Sequence, residues 1–285
     1  MPSTRDCRVY SITLCRSSIF LTNSTPNLLR VIVTGSEGFI GKALCRRLAP
    51  HFDVIHIDTK IGGDAARIEP LLADGGIDVV FHLAAETSVF NERLDDIERE
   101  NVHAFMVVAT ACRRYGVKLV YASSSTANAC NTTSMYGMTK HFNEQFAKAY
   151  CPRATGVRLH NVYGPAPRKG TLLFNLLNEE TCTIYNGGRN VRHFTYIGDA
   201  VEALVYASTS NRQLVNVVNP VGNTVREFCD EVAKYKPLNL HFTDELRPLD
   251  NFEQSVNETI FTVPLPYRNI EQGLSQVFSE TSQPR

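Results

Sequence analysis

Tyr136 and Lys140 close the run Tyr-Gly-Met-Thr-Lys, and on a helix that spacing puts a phenol and an ammonium on one face. A free phenol has a pKa of about 10 and is a poor base near neutrality unless a cation favours the phenolate. Lys140, one turn away, can supply that charge. Tyr136 can then take a hydroxyl proton as hydride leaves the same carbon, while Ser124, in the run Ser123-Ser124-Ser125, holds the oxygen by a hydrogen bond.

A second constellation lies upstream, where residues 30 to 41 read Arg-Val-Ile-Val-Thr-Gly-Ser-Glu-Gly-Phe-Ile-Gly. Gly35, Gly38 and Gly41 sit where a strand turns into a helix, which lets the backbone approach a pyrophosphate while the helix N-terminus faces its charge. Asp58, ending the next strand, can accept from both hydroxyls of an adenosine ribose. Its carboxylate repels a 2′-phosphate, which predicts NAD rather than NADP. Singly, these groups read as a tight turn, a loop cap, a helix aromatic and a solvated charge. In this order they describe one redox site.

The elements that must position them alternate between short β-branched runs and longer helical periods, a pattern of α/β architecture with a Rossmann-type, doubly wound parallel sheet. Strands are expected at Arg30–Thr34, Asp53–Asp58, Asp78–Leu83, Val117–Ala122, Gly156–Asn161 and Arg192–Ile197. Helices are expected at Gly38–Leu48, Asp95–Tyr115, Ser134–Tyr150 and Gly198–Ala207. Beyond Pro220 the text changes, with a helix at Val225–Tyr235, a strand at Leu238–Phe242 and a polar C-terminus. The division expected is an NAD-binding domain of residues 29–163 and 192–218, and a smaller C-terminal substrate-binding lobe of residues 164–191 and 219–285. Residues 1–28 read as a poorly ordered extension.

Composition narrows the setting. With 285 residues and 43% hydrophobic content, the chain can bury a core without metal or disulfide staples. Twenty-nine basic residues balance 29 acidic ones, so no global field recruits nucleic acid or an anionic membrane. The eight cysteines form no close pair in sequence, which argues against zinc or a disulfide framework and for a reducing, cytoplasmic location. No run approaches the roughly 18 apolar residues of a membrane span.

The chain resembles the extended short-chain dehydrogenases/reductases of the nucleotide-sugar epimerase and dehydratase group over about residues 29 to 278. The matching text is Thr34 to Gly41, His82-Leu83-Ala84-Ala85, Glu100-Asn101-Val102, Tyr121 to Ser125, Tyr136 to Lys140, and Asn161-Val162-Tyr163-Gly164-Pro165. The resemblance implies that Phe39, Ile40, Ala84 and Ala85 border the cofactor with the three glycines. It implies that Asp64 meets the adenine and that Lys140 also binds the nicotinamide ribose. It places Asn161, Arg192 and Arg247 against the diphosphate of a nucleotide-sugar substrate, and it implies a homodimer.

Three departures from the family text stand out. Five residues separate Asp58 from Asp64 where the family has a helix and a strand, so the sheet edge is expected to be trimmed. Eleven residues separate Ser124 from Tyr136, with Ala127-Asn128-Ala129 replacing Val-Tyr-Gly, which shortens a loop beside the sugar. His193 replaces an aspartate and reads as a structural histidine. The family's dehydratases need an Asp-Glu pair after the serine, but Ser125 and Thr126 stand there, and neither is an acid near neutrality. The reading is therefore an epimerase acting at C4 of the sugar. A 4-ketoreductase, dehydrogenase or dehydratase of the same family is the alternative, and a cofactor-binding sensor or scaffold the rival from another class.

Overall fold

The computed structural model describes residues 28–87, 93–129, 134–247, 250 and 252–281, so the expected N-terminal extension, apart from Leu28, lies outside the described residues. In chain order the strands are β1 Leu29–Thr34, β2 Phe52–Ile57, β3 Ile77–His82, β4 Lys118–Ser124, β5 Ala154–Leu159, β6 Val162–Tyr163, β7 Cys182–Ile184, β8 Val191–Arg192, β9 Thr195–Tyr196, β10 Leu214–Val217, β11 Asn223–Thr224 and β12 Leu240–Phe242. The helices are α1 Phe39–Leu48, α2 Glu69–Ala73, α3 Leu94–Ile97, α4 Ala104–Arg114, α5 Met135–Tyr150, α6 Leu172–Asn178, α7 Ile197–Thr209, α8 Val225–Ala233 and α9 Ile270–Thr281.

Six strands form the central sheet in the order β10-β5-β4-β3-β1-β2, every pair parallel. A parallel sheet covered on both faces needs strands that are apolar throughout, and β5 is buried along its whole length. One face packs Val33, Leu44 and Leu48 against Leu204 and Ala203, the other Phe105 and Val108 against Tyr121 and Ala147. Strand β2 is buried only at its last residue, Ile57, and exposes Asp53 and His56, as suits an edge strand. After Ile57 the chain enters 3₁₀ turns at Thr59–Ile61 and Ala65–Arg67 with no strand between, so the sheet ends at β2. This is the trimmed edge read from the Asp58–Asp64 spacing.

Other boundaries differ from the pattern. The helix expected over Asp95–Tyr115 is a continuous run, but its middle, Glu98–His103, is a π-helical segment between α3 and α4. The strand expected at Arg192–Ile197 divides into β8, paired antiparallel with β11, and β9, paired parallel with β6. Each is two residues long. Strand β10 completes the sheet edge from four residues, too short to give a period. The polar C-terminus carries α9, whose Leu274 and Val277 are fully buried while its other face is polar. No described helix is long and apolar enough to cross a membrane, and no group of described residues is arranged to hold a metal ion.

Helix α5 is tied to the sheet by a buried ion pair. Glu144 and Arg158 are 4% and 7% exposed at their side chains. Arg158 Nε and Nη2 donate to the two Glu144 oxygens at 2.7 and 2.6 Å, and the Ser123 hydroxyl donates to Oε1 at 2.6 Å. Glu144 follows Lys140 by four residues, so the face carrying Tyr136 and Lys140 is held against β4 and β5. Removing one member of such a pair strands the other charge in the interior. Glu144→Ala is expected to lower unfolding stability by about 3–5 kcal/mol, read as a shift of the urea midpoint at unchanged slope.

Candidate active site

A cleft of about 720 Å³ opens at the C-terminal ends of the central strands. It is lined by Gly35, Gly38, Phe39, Ile40, Gly41, Asp58, Asp64, Ala84, Ala85, Ser124, Tyr136, Lys140 and Asn161, all expected from the sequence. Arg192 and Arg247 are not among its lining residues. Position in the sheet explains the gathering, since the loops following β1, β3 and β4 all emerge on the same edge.

The turn after β1 is built so that only glycine fits. Gly35 has φ of +70°, and a Cβ there would lie 2.7 Å from the Ala84 amide nitrogen. A Cβ on Gly41 would lie 2.0 Å from the Gly35 carbonyl oxygen. Helix α1 starts at Gly38 with no side-chain cap and no acidic residue in its first turn. Its first amides therefore face the cleft as donors without a competing carboxylate, a donor set that suits a pyrophosphate. Beneath the turn, Thr34 Oγ1 and His82 Nδ1 are 2.8 Å apart, and burial lowers the His82 pKa to about 3, with Lys140 adding to the fall. That neutral histidine links the ends of β1 and β3. The Asp58 carboxylate accepts from the Glu37 amide at 2.9 Å and the Lys60 amide at 3.0 Å, which fixes its two oxygens at the rim. Asp64 is exposed and accepts from the Ala66 amide at 2.9 Å.

At the other end, Ser134 caps α5 by accepting from the Gly137 amide, so the helix starts in register to present Tyr136 and Lys140 together. Lys140 is buried, its Nζ 5.7 Å from the Tyr136 ring centre and donating to the Ala122 carbonyl at 3.1 Å. Burial lowers its pKa to about 8. The phenol behaves differently from the sequence expectation. Burial pushes the Tyr136 pKa up; a hydrogen bond from Ser124 and the positive field of Arg168 act against that rise, and Glu86 adds to it. Arg168, three residues past Pro165, thus supplies a charge that opposes burial and that the sequence did not point to.

Two further neighbours, Asn101 and Gln254, were not expected in the site by residue role. Asn101 is buried in the π-helical segment; its Oδ1 accepts from the Glu86 amide at 2.7 Å, and its Nδ2 donates to the Glu86 carbonyl at 2.9 Å and to Thr139 Oγ1 at 3.2 Å. This gives a role to the Glu100-Asn101-Val102 text, since it ties the loop after β3 to α5. Gln254 reaches the cleft from a distant segment, where its Oε1 accepts from Asn161 Nδ2 at 2.6 Å and from the Ser125 hydroxyl at 3.3 Å. Asn161 holds a φ of 38°, a left-handed conformation that asparagine tolerates better than most residues.

The two arginines expected at the diphosphate have partners of their own within the protein. Arg192 is buried, with Nη2 paired to Asp250 Oδ1 at 2.5 Å and Nη1 donating to the carbonyls of Val191 and Phe252. Its guanidinium is satisfied within the protein. Arg247 is exposed and lies 6.0 Å from the Tyr185 ring centre. Pro248 and Leu249, which follow it in the motif, are outside the described residues. His193 is half-buried and donates from Nδ1 to the Asn219 carbonyl at 2.8 Å, the structural role read for it.

Comparison with known proteins agrees with this geometry. The model of the NAD dependent epimerase/dehydratase family matches residues 31–219. The UDP-glucose epimerase YtcB of Bacillus subtilis, itself uncharacterized, is 26% identical over 274 residues, covering 76% of this chain and 86% of YtcB. The structure of MoeE5 in complex with UDP-glucuronic acid and NAD is 26% identical with a TM-score of 0.77, covering 88% of this chain and 98% of MoeE5. The structure of TunA, an NAD-dependent NDP-hexosamine 5,6-dehydratase of tunicamycin biosynthesis, is 25% identical with a TM-score of 0.75, covering 90% of this chain and 99% of TunA. The cofactor is NAD, and the glycine turn, the uncapped α1 and Asp58 form a donor and acceptor set that fits it.

The buried ammonium of Lys140 has a cost for folding. A lysine whose folded pKa is depressed disfavours the folded state when both states are protonated, and that penalty is relieved as pH rises from about 8 towards the ordinary value of 10.5. Lys140→Met is therefore expected to raise thermal stability at neutral pH, by about 3 kcal/mol at most, while abolishing turnover. The gap should close as pH rises through that window, and a variant less stable than wild type at pH 7 would contradict it. From the glycine cradle to the Tyr136–Lys140 helix, the molecule belongs to the NAD dependent epimerase/dehydratase family.

Proposed function

We propose that this protein is an NAD-dependent nucleotide-sugar epimerase that inverts C4 of the sugar through a transient 4-keto state. The observation that carries the reading is the convergence of Ser124, Tyr136 and Lys140 on one cleft with the glycine turn and Asp58. When bound, NAD supplies a reversible hydride acceptor. Tyr136 takes the proton of the C4 hydroxyl and later returns it, and Ser124 holds the same oxygen by a hydrogen bond. Lys140 donates to the Ala122 carbonyl and keeps a positive charge on the floor of the cleft below pH of about 8. Asn161 and Gln254 border the sugar, and residues 164–191 with 219–285 form the lobe that carries it.

Elimination of water needs an acid beside the sugar. At the positions following Ser124 the side chains are hydroxyls, Ser125 donating to Gln254 and Thr126 to Ser124, and neither can protonate a leaving group near neutrality. This supports epimerisation over dehydration, although TunA, an NDP-hexosamine 5,6-dehydratase, shares the fold. The nucleotide-diphosphate sugar is a UDP-sugar on the likeness to MoeE5.

The assembly is a homodimer through α4 and α5. Met135, Met138, Phe142 and Tyr150 recur on one side of α5 and are 43%, 55%, 40% and 54% exposed, with Met106 of α4 37% exposed beside them. An apolar stripe of this extent on adjoining helices suits a second copy of the chain. The five described cysteines are free and buried, which supports a reducing, cytoplasmic setting.

The deciding experiment incubates the purified protein with NAD and a panel of UDP-, GDP- and dTDP-sugars and separates the products. The reading expects a 4-epimer with no net NADH; steady NADH accumulation would favour a dehydrogenase. Tyr136→Phe is expected to lose turnover by at least about a hundredfold while keeping NAD affinity. Asp58→Ala should weaken NAD and narrow the discrimination against NADP, and an unchanged preference would remove Asp58 from the ribose site.

A further inference from the structure

Thr126 stands two residues beyond Ser124, in the 3₁₀ turn Ser125–Ala127, and the turn is braced on three sides. His141 Nδ1, on α5, lies 3.0 Å from the Ala127 carbonyl oxygen, the Ser125 hydroxyl donates to Gln254, and the Asn128 side-chain amide donates to the Ser255 carbonyl at 3.2 Å. Within this frame Thr126 contacts Ser124 twice. Its amide donates to Ser124 Oγ at 3.2 Å and its hydroxyl donates to the same oxygen at 2.8 Å.

A serine hydroxyl has one proton and two lone pairs. With both lone pairs filled from Thr126, the proton of Ser124 cannot turn back into the turn, and among the described residues its hydrogen-bond partner is the phenolic oxygen of Tyr136. We propose that Thr126 is a positioning residue of the reaction: its paired hydrogen bonds aim the Ser124 proton at the Tyr136 oxygen. The proposal rests on the reading of Ser124 and Tyr136 as catalytic residues. A carboxylate at position 126 would accept where threonine donates, and would draw that proton away from the phenol. One of the two hydroxyl residues that stand in place of an acid for dehydration is thus the one that orients the serine for proton transfer.

Thr126→Val removes the hydroxyl with little change of shape and keeps the amide, and Thr126→Ser restores the hydroxyl. In the full chain with NAD bound, ring-carbon NMR of labelled tyrosine follows ionisation of Tyr136 without any substrate, its signal identified by its loss in Tyr136→Phe. Thr126→Val is expected to move the ionisation midpoint of Tyr136 upward, and Thr126→Ser to return it. Ser124→Ala should raise the midpoint as well, with Thr126→Val adding nothing further on that background. On the nucleotide sugar that wild type turns over, Thr126→Val should lower kcat roughly tenfold, with KM and NAD affinity unchanged.

A Tyr136 signal that titrates alike in wild type and Thr126→Val overturns the proposal, as does an equal effect of Thr126→Val on the Ser124→Ala background. Thr126→Ala offers the same comparison if the valine variant fails to fold. A wild-type protein that converts no nucleotide sugar would defeat the reaction proposed above, while the NMR arm would still decide the part played by Thr126.

Discussion

The carboxylate of Glu144, shared by Arg158 and Ser123, is the constraint on which the site depends. The phenol and ammonium proposed to react are useful only if the helix carrying them cannot roll, because one residue of rotation would turn both away from the cleft. Apolar packing of α5 against α4 sets its distance from the sheet but resists sliding weakly, whereas a two-pronged ion pair is directional. The pair lies one turn beyond Lys140, so its directionality passes straight to the reacting groups. A buried ion pair is weak evidence of net stability, and its contribution here is to register.

Burial governs the ionisation of Tyr136 and Lys140, in opposite directions. The low-polarity floor favours the neutral phenol of Tyr136 and the neutral amine of Lys140. The proton on Tyr136 is thus held until some charge compensates its loss. Ser124 and Arg168 supply part of that compensation within the protein, and the positive charge of an oxidised nicotinamide ring is of the right sign to add to it. Such a site resists ionising its phenol idly, at the cost of a desolvated lysine.

At the cofactor end the controlling term is steric. Gly35 and Gly41 pack backbone against backbone so closely that any side chain would displace the strand, the turn or the helix. The same closeness leaves the amides of α1 uncovered. With the sheet ending at β2, Asp58 and Asp64 are joined by one short turn, which brings the ribose and adenine contacts expected of them to the same rim.

The primary structure by itself determined the local parts: the glycine turn, the i, i+4 pairing of Tyr136 with Lys140, the buried parallel strands and the trimmed edge. Each depends on residues close in the chain, where sterics and periodicity act directly. Only the tertiary structure decided what depends on distant partners. It paired the guanidinium of Arg192 with Asp250, 58 positions later. It brought Gln254 to Asn161 across 93 positions and set Arg168 in the field of Tyr136. It divided the expected strand at Arg192–Ile197, because residues three positions apart found different partners in β11 and β6. Side-chain pairing over such separations leaves no period in the sequence, since it is set by how the loops and the C-terminal segment pack once the sheet has formed.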